Sequence, residues 1–215
     1  MSGSLGKLGI LTLVTLAIGL AACGGDDGDD PAAPAAANGN ARAGVQDLEQ
    51  FLMRKDEEPG FRPGARPDQE PQSRGTITGV EAFVNDMHLA PADARRLRSE
   101  GFISFMSQPI RGPRAAGVTN VALYETAEGA KHSLAHELRP DVIRALGPVE
   151  DLRYFAARGV PGARGWTASE PHVGNVQWVQ GRCMLVLGNQ GPGPFAGPLS
   201  KGARAIYERT NGQCP

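Results

Sequence analysis

Two histidines at helical spacing are the residues that most directly suggest chemistry. His132 and His136 stand four positions apart, so on a helix they would share one side and could hold one metal ion together. Glu137 follows the second histidine, so the H-E-x-x-H pattern of zinc proteases is absent. A bound metal needs at least a third ligand, and His88 and His172 are distant in the sequence. We therefore expect the pair to lie on a solvated helix face, with a metal site as the alternative.

Nucleophile and phosphate patterns point away from catalysis. The chain has no G-x-S-x-G nucleophile elbow. The glycine-rich run from Gly188 to Pro194 lacks the lysine and the Ser/Thr of a phosphate-binding P-loop. Cys183 lies in an apolar segment, where burial raises the pKa of a thiol and lowers its reactivity. We therefore predict that the protein is not an enzyme and that it has no catalytic residues and no cofactor.

Another cysteine stands directly after a short apolar run near the N-terminus. The run from Leu8 to Ala22 is shorter than the ~20 residues that a membrane-spanning helix needs. It ends in Leu20-Ala21-Ala22-Cys23. A short apolar core that closes on small residues is typical of an export signal. This segment resembles a bacterial lipoprotein signal with those four residues as the lipobox. The resemblance implies lipidation of the Cys23 sulfur and cleavage before it; an uncleaved anchor helix is the alternative.

The composition after Cys23 predicts three parts of the chain. Residues 24–43 hold Gly, Ala, Asp, Asn and Pro without a large apolar side chain, so they cannot bury enough surface to fold. We predict a signal peptide over residues 1–22, an acylated cysteine with a flexible acidic tether over 23–43, and a single extracytoplasmic domain over 44–215. Anchoring by two acyl chains would then hold the domain at the outer side of the cell membrane.

Export would also determine whether the two remaining cysteines are oxidised. Outside the cytoplasm thiols oxidise readily, and Cys183 and Cys214 form an even pair once Cys23 is acylated. We predict a disulfide that clamps the last helix onto the sheet. Two unrelated thiols are the alternative.

Apolar periodicity divides the domain among helices and strands. On the helix after Thr126 we expect Ala130, Leu134 and Leu138 to face inward. On the helix before Gly101 we expect the arginines, Arg96 among them, to face solvent. The predicted helices are Val45–Glu58, Gly79–Asn85, a segment that begins at Pro91 and stops at Gly101, Ala127–Leu138 and Ser200–Arg209. The predicted strands are Phe102–Met106, Val118–Glu125, Leu152–Ala156, Gly165–Ala168 and a hairpin over Asn175–Leu187.

These elements predict an α+β fold, a single domain with an antiparallel sheet and helices packed against it. The order of elements resembles small extracytoplasmic sensor or lipoprotein domains of high-GC Gram-positive bacteria. Charges nearly cancel, with 22 Lys and Arg against 23 Asp and Glu, so nucleic acid is not an expected partner.

The expected function is that of a membrane-anchored lipoprotein of the bacterial cell envelope. We expect a non-enzymatic module that binds a small ligand or an envelope protein and contacts the membrane through its N-terminal lipid. A structural or assembly accessory of an envelope complex is the alternative, followed by an envelope enzyme.

Overall fold

A computed structural model describes residues 48–64, 76–145, 147, 149–170 and 172–214. The predicted signal peptide, the lipobox cysteine Cys23 and the tether lie outside the described residues. Within the described ranges, no helix is both long enough and apolar enough to cross a membrane.

One antiparallel sheet of eight strands organises the domain. The strand order is β1-β3-β4-β8-β7-β6-β5, and β2 also pairs with β3. The prediction of a single α+β domain with an antiparallel sheet is confirmed. The strands are β1 (Arg62–Pro63), β2 (Ile77–Thr78), β3 (Phe102–Arg111), β4 (Ala116–Tyr124), β5 (Arg153–Ala156), β6 (Arg164–Ala168), β7 (Val173–Gln180) and β8 (Cys183–Gln190).

Helices cover both faces of this sheet. The described residues begin with a short 3₁₀ helix at Leu48–Phe51. The α-helices are α1 (Val80–Met87), α2 (Pro91–Ser99), α3 (Ala127–Glu137), α4 (Pro140–Ala145) and α5 (Ala196–Arg209).

The central strands send alternate side chains to opposite faces, as β geometry requires. On β8, Leu185 and Leu187 join a cluster that includes Leu199 and Ile206 of α5. We call this side the α5 face. Met184, between the two leucines, packs in a different cluster with Ala130 of α3, on the side that we call the α3 face.

Local signals at the helix ends match the predictions. Pro91 is the first residue of α2, and Gly101, with φ +72°, follows its end in the left-handed region that glycine tolerates. The side chain of Thr126 accepts a hydrogen bond from the backbone N–H of Gly129 at 3.0 Å and caps α3.

The helix predicted over Val45–Glu58 is wrong for its described part. After the 3₁₀ turn, Leu52 and Met53 follow Phe51 as consecutive buried residues. A helix on a surface cannot bury three consecutive side chains, whereas an irregular segment that crosses the end of a core can. The segment then places Glu58, which is 0% exposed, inside the domain.

The inward face of α3 holds Ala130, as predicted, but it also includes two polar residues that were not predicted to be buried. Ser133 and Glu137 are buried, whereas Leu134 and Leu138 are half-buried. Tyr124 donates a hydrogen bond to the Ser133 Oγ at 2.8 Å. Arg96, predicted to face solvent, instead lies 3.4 Å from the Glu137 carboxylate. An Nη1 atom of the same guanidinium lies 2.9 Å from Glu100, so one arginine joins α2 to α3.

The predicted cysteine pair is a disulfide in the structure. Cys183 at the start of β8 is joined to Cys214, with Cα atoms 5.8 Å apart. Next to it, the Gln180 side-chain amide donates hydrogen bonds to the Gln213 carbonyl and the Thr210 hydroxyl, both at 2.9 Å. The end of α5 is therefore attached to the β7–β8 hairpin by a covalent bond and by two hydrogen bonds.

Candidate functional site

Polar side chains cross the middle of the α3 face on neighbouring strands. We call this set the polar stripe: Ser107 on β3, Asn120 on β4, Asn175 and Gln177 on β7, and the Trp166 indole on β6. The sheet register sets their order. Ser107 lies opposite Asn120, and Asn120 and Gln177 flank the same β8 residue, Val186. Asn175 lies opposite Trp166. Five polar groups therefore share one surface of the sheet.

Three of these groups are buried without satisfying their hydrogen-bonding capacity. The atoms Asn175 Oδ1, Gln177 Oε1 and Trp166 Nε1 are buried and have no hydrogen-bond partner among the described residues. Such groups are uncommon, since each costs roughly 1–3 kcal/mol when it is removed from water unpaired. By contrast, the Ser107 hydroxyl donates to Asn120 Oδ1 at 2.7 Å. The stripe thus combines one internal hydrogen bond with three unused donors or acceptors.

Two separate apolar clusters frame the polar stripe. One cluster, under α1, α2 and α3, includes Phe105 of β3 and Met184 of β8. The other packs Ile143 of α4 against Trp166 and Ala168 of β6. Between the clusters burial is uneven: Gln177 is buried, whereas Val118, Asn120 and Asn175 are half-buried. The gap in the apolar layer coincides with the polar groups.

A glycine on β8 leaves the middle of the polar stripe without a side chain. An added Cβ at Gly188 on β8 would lie 3.6 Å from the Asn175 side-chain nitrogen and 3.9 Å from the Val118 side chain. These are ordinary contact distances, so a larger side chain would fit the backbone and project into the stripe. Gly188 therefore places no side chain between Asn175 and Val118.

The edge of the stripe carries an aromatic ring and a cation. Tyr154 of β5 lies opposite Trp166 and is 50% exposed, the large hydrophobic side chain most open to solvent among the described residues. Arg164 of β6 lies opposite Gln177 and is exposed. The stripe itself is uncharged and offers amide, hydroxyl and indole groups, which bind neutral polar ligands by directional hydrogen bonds.

The structure does not bring the predicted metal candidates into a metal site. His132 is exposed on α3, and its Nε2 lies 3.2 Å from the Glu128 carboxylate. His136 is half-buried, and burial lowers its pKa, with a further lowering by the nearby Arg96 and Arg139. Within the described ranges, no group of three or more His, Cys, Asp or Glu side chains could hold a metal ion.

Sequence reasoning missed the polar stripe because the pattern along β7 does not tell what packs on the polar side of the strand. The alternation of Val176 and Trp178 with Asn175 and Gln177 correctly predicts a strand with two faces. It does not show that the second face is covered, yet Gln177 is only 2% exposed. The missing information was the position of α3, which packs over β7 and β8.

Comparison with known proteins gives a likeness in structure but none in sequence. No protein-family model matches the chain, and no curated protein matches it in sequence. The fold is similar to the crystal structure of the extracellular domain of PknH from Mycobacterium tuberculosis, with a TM-score of 0.45 and 11% identity. The alignment covers 76% of this chain and 96% of that chain.

Proposed function

We propose that the protein is a membrane-anchored, extracytoplasmic binding module, and that its polar stripe binds a neutral saccharide with hydroxyl and acetamido groups. One observation carries this proposal. Asn175 Oδ1, Gln177 Oε1 and Trp166 Nε1 are buried on adjacent strands without a partner in the described chain. A ligand that hydrogen-bonds to them would remove the cost of leaving them unpaired.

The chemistry of the stripe supports a neutral saccharide. Each amide side chain offers both a donor and an acceptor, as do a sugar hydroxyl and an acetamido group. The Trp166 indole adds a donor, and the exposed ring of Tyr154 beside it extends the site with an apolar surface. Aromatic rings present an apolar body to a ligand while adjacent polar groups fix its orientation.

The same groups support binding without catalysis. Amide, indole and hydroxyl groups do not titrate near neutral pH, whereas general acid–base catalysis needs a group that does. The Ser107 hydroxyl donates to the Asn120 amide oxygen rather than to a base, so it is not activated as a nucleophile. We therefore assign a binding role to this surface.

Two features support the extracytoplasmic location. The sequence Leu20-Ala21-Ala22-Cys23 has the lipobox pattern. The Cys183–Cys214 disulfide is typical of proteins that fold in an oxidising compartment. Both agree with a domain that is exported and held at the membrane by lipid on Cys23.

Calorimetric titration with triacetylchitotriose tests the binding site. The full chain in uncharged detergent micelles should bind this saccharide, and Gly188→Val should weaken the binding by at least about tenfold, since a projecting side chain would occupy the stripe. Gly197→Val on α5 is the matched control, because an added Cβ there meets nothing within 4 Å. Binding that is equal in the wild type and in Gly188→Val would contradict the proposed site.

Replacement of Cys23 by alanine tests the anchor. Only a thiol can accept the diacylglyceryl group, so Cys23→Ala should leave the protein unprocessed or released. If the variant runs at mature size on a gel and stays with membranes after a carbonate wash, the proposed lipidation is wrong.

A further inference from the structure

Helix α3 lies over the part of the sheet that carries the polar stripe. It packs against β4, β7 and β8. Gln177 of β7 is 2% exposed, although its Oε1 has no partner in the described chain. A ligand that reaches this oxygen must therefore displace the structure that covers it. How firmly α3 is attached to the rest of the domain then determines how easily the stripe is reached.

Apolar packing contributes little to the attachment of α3. Alanine is the largest apolar side chain among its buried residues, which are Gly129, Ala130, Ser133 and Glu137. Leu134 is only half-buried. By contrast, α5 buries two large aliphatic side chains, and the disulfide joins its end to the sheet. Because apolar burial is the main source of stability, an element with little of it opens at a lower cost than the rest of the fold.

An arginine and three carboxyl groups join α2 to α3 where apolar packing is sparse. We call them the carboxylate cluster, namely Asp93 and Arg96 of α2, Glu100 directly after α2, and Glu137 of α3. The guanidinium lies 2.9 Å from Glu100, 3.4 Å from Glu137 and 3.8 Å from Asp93. No side chain of the cluster is more than 16% exposed. The second half of α3 is therefore held to α2 mainly by buried charges.

Negative charge is in excess in the carboxylate cluster. If every carboxyl group were ionised, one guanidinium would face three carboxylates. Neighbouring groups do not correct this near neutral pH, since burial raises the pKa of the Tyr124 hydroxyl and lowers that of the His136 imidazole. Arg139, the next cation along the chain, is exposed and pairs with Asp141. Burial raises the pKa of Glu137 to about 8; the arginine of the cluster opposes this rise and the other two carboxylates increase it.

We infer that the second half of α3 is a lid over the polar stripe, that the carboxylate cluster latches it, and that its opening releases the Glu137 proton to solvent. In the open state this carboxyl group regains water and its ordinary acidity. Raising the pH therefore favours the open state, and lowering the pH keeps the lid closed. The opening is a property of the chain alone, whereas its role in saccharide entry rests on the proposed function.

The first turn of α3 is built to stay in place while the second half opens. Thr126 caps it through the backbone N–H of Gly129. An added Cβ at Gly129 would lie 1.9 Å from the Glu100 carbonyl oxygen, so the helix begins in close contact with the end of α2. Ser133 and Glu137, which face the guanidinium of the cluster, both lie further along the helix. The latch and the fixed end are thus at opposite ends of α3.

Hydrogen exchange followed by mass spectrometry tests the lid without any ligand. The full chain in uncharged detergent micelles is compared at several pH values, with the intrinsic exchange rate divided out. Amides in the second half of α3 should be less protected than those of α5 at every pH, since a lid opens without the rest of the domain. Their protection should fall by up to about tenfold per pH unit between about pH 5 and pH 8 and then level off, because each opening releases one proton.

Neutral variants of buried carboxyl groups assign this pH dependence to the latch. Glu137→Gln should make the protection of α3 independent of pH, since no proton is left to release. Glu58→Gln is the matched control, because it also neutralises a buried carboxyl group of raised pKa but lies outside the cluster. It should leave the pH dependence of α3 unchanged. Glu100→Gln should reduce the dependence, since it removes a carboxylate that repels Glu137, and it serves as the test if Glu137→Gln does not fold.

Three results would overturn the inference. One is equal protection of α3 and α5, which would mean that α3 opens only with the whole domain. Another is a protection of α3 that does not change with pH in the wild type. The third is a loss of pH dependence in Glu58→Gln that equals the loss in Glu137→Gln, which would assign the exchange to global unfolding.

Saccharide titrations at several pH values test the role of the lid in binding. The affinity for triacetylchitotriose should rise with pH in the wild type and stay constant in Glu137→Gln, because a ligand that needs the open state binds in proportion to the population of that state. A constant affinity in the wild type would show that the lid does not control entry. Absence of binding at every pH, with α3 opening as described, would contradict the proposed function while the exchange data still support the lid.

Discussion

The two faces of the sheet belong to the same strands but differ in what packs against them. On the α5 face one continuous apolar cluster joins the 3₁₀ helix, four strands (β3, β4, β7 and β8) and α5. On the α3 face the apolar layer is divided into two clusters, with the polar stripe between them. A face that is closed by apolar packing contributes stability. Unpaired buried polar atoms occur on both faces, Thr119 Oγ1 and Asn189 Oδ1 among them on the α5 face. What distinguishes the polar stripe is that its unpaired atoms lie between two separate apolar clusters.

Two neighbouring residues on β7 show the difference within one strand. Trp178 is 0% exposed on the α5 face, and its Nε1 donates to Gln180 Oε1 at 2.9 Å. Gln177 is 2% exposed on the α3 face, and its Oε1 has no partner in the described chain. Strand propensity does not separate these positions, so the difference comes from what each face packs against.

The largest expected loss of stability comes from a substitution on the α5 face. Trp178→Ala should lower the free energy of unfolding by about 3–5 kcal/mol, since it removes a fully buried ring and leaves a cavity. Denaturant unfolding of the full chain measures this loss. A cost below about 1 kcal/mol would show that the α5 face is not the packed core that the comparison requires.

Removal of the disulfide should have the next largest effect. Cys183→Ser together with Cys214→Ser should cost about 3 kcal/mol, because the bond closes a long loop around α5. The measurement is the melting temperature with and without reductant. The double variant should melt at the temperature of the reduced wild type, and an oxidised wild type that melts no higher would contradict the clamp.

On each side of the sheet one buried carboxyl group has a raised pKa, which makes stability depend on pH. Burial raises the pKa of Glu58 to about 7, although the hydrogen bond from Asn189 lowers it. Burial likewise raises the pKa of Glu137 to about 8, against the attraction of Arg96. The folded state therefore keeps protons that the unfolded state releases. This contribution to stability is complete below about pH 4.5 and is lost as pH rises through 7 and 8.

Neutral variants isolate this contribution. Glu58→Gln should match the wild type near pH 5, where the carboxyl is protonated, and exceed it by about 2 kcal/mol near pH 8. Glu137→Gln should show the same trend with its change centred at a higher pH. Melting curves across this range measure both. A difference from the wild type that is constant with pH would show that neither carboxyl titrates as described.

The smallest expected change in the free energy of unfolding comes from a substitution in the polar stripe. Unlike the losses on the α5 face, this change is zero or a gain. Gln177→Leu should leave the free energy of unfolding unchanged or raise it by up to about 1 kcal/mol, since it removes a buried amide whose oxygen has no hydrogen-bond partner in the described chain. The same variant should weaken the binding of triacetylchitotriose. A loss of stability similar to that of Trp178→Ala would mean that Gln177 is a structural residue and not part of a binding surface.

Much of the fold was predictable because its signals are local. The Gly101 stop, the Thr126 cap and the β7–β8 hairpin each depend on a few adjacent residues. The burial of Glu137 on the inward face of α3 was not predictable, because Arg96, which forms an ion pair with it, lies on a different helix. The polar stripe was missed for the same reason: Asn120 and Gln177 are far apart in the chain and meet only through the order of strands in the sheet.

The indole N–H resonances of a nitrogen-labelled sample test the central claim most directly. The chain has two tryptophans, Trp166 in the polar stripe and Trp178 on the α5 face, so the second is an internal control. Addition of triacetylchitotriose should shift the Trp166 resonance in a saturable titration and leave that of Trp178 unchanged, and Gly188→Val should abolish the shift. An unchanged Trp166 resonance, or equal shifts of both, would contradict the assignment of the polar stripe as the binding surface.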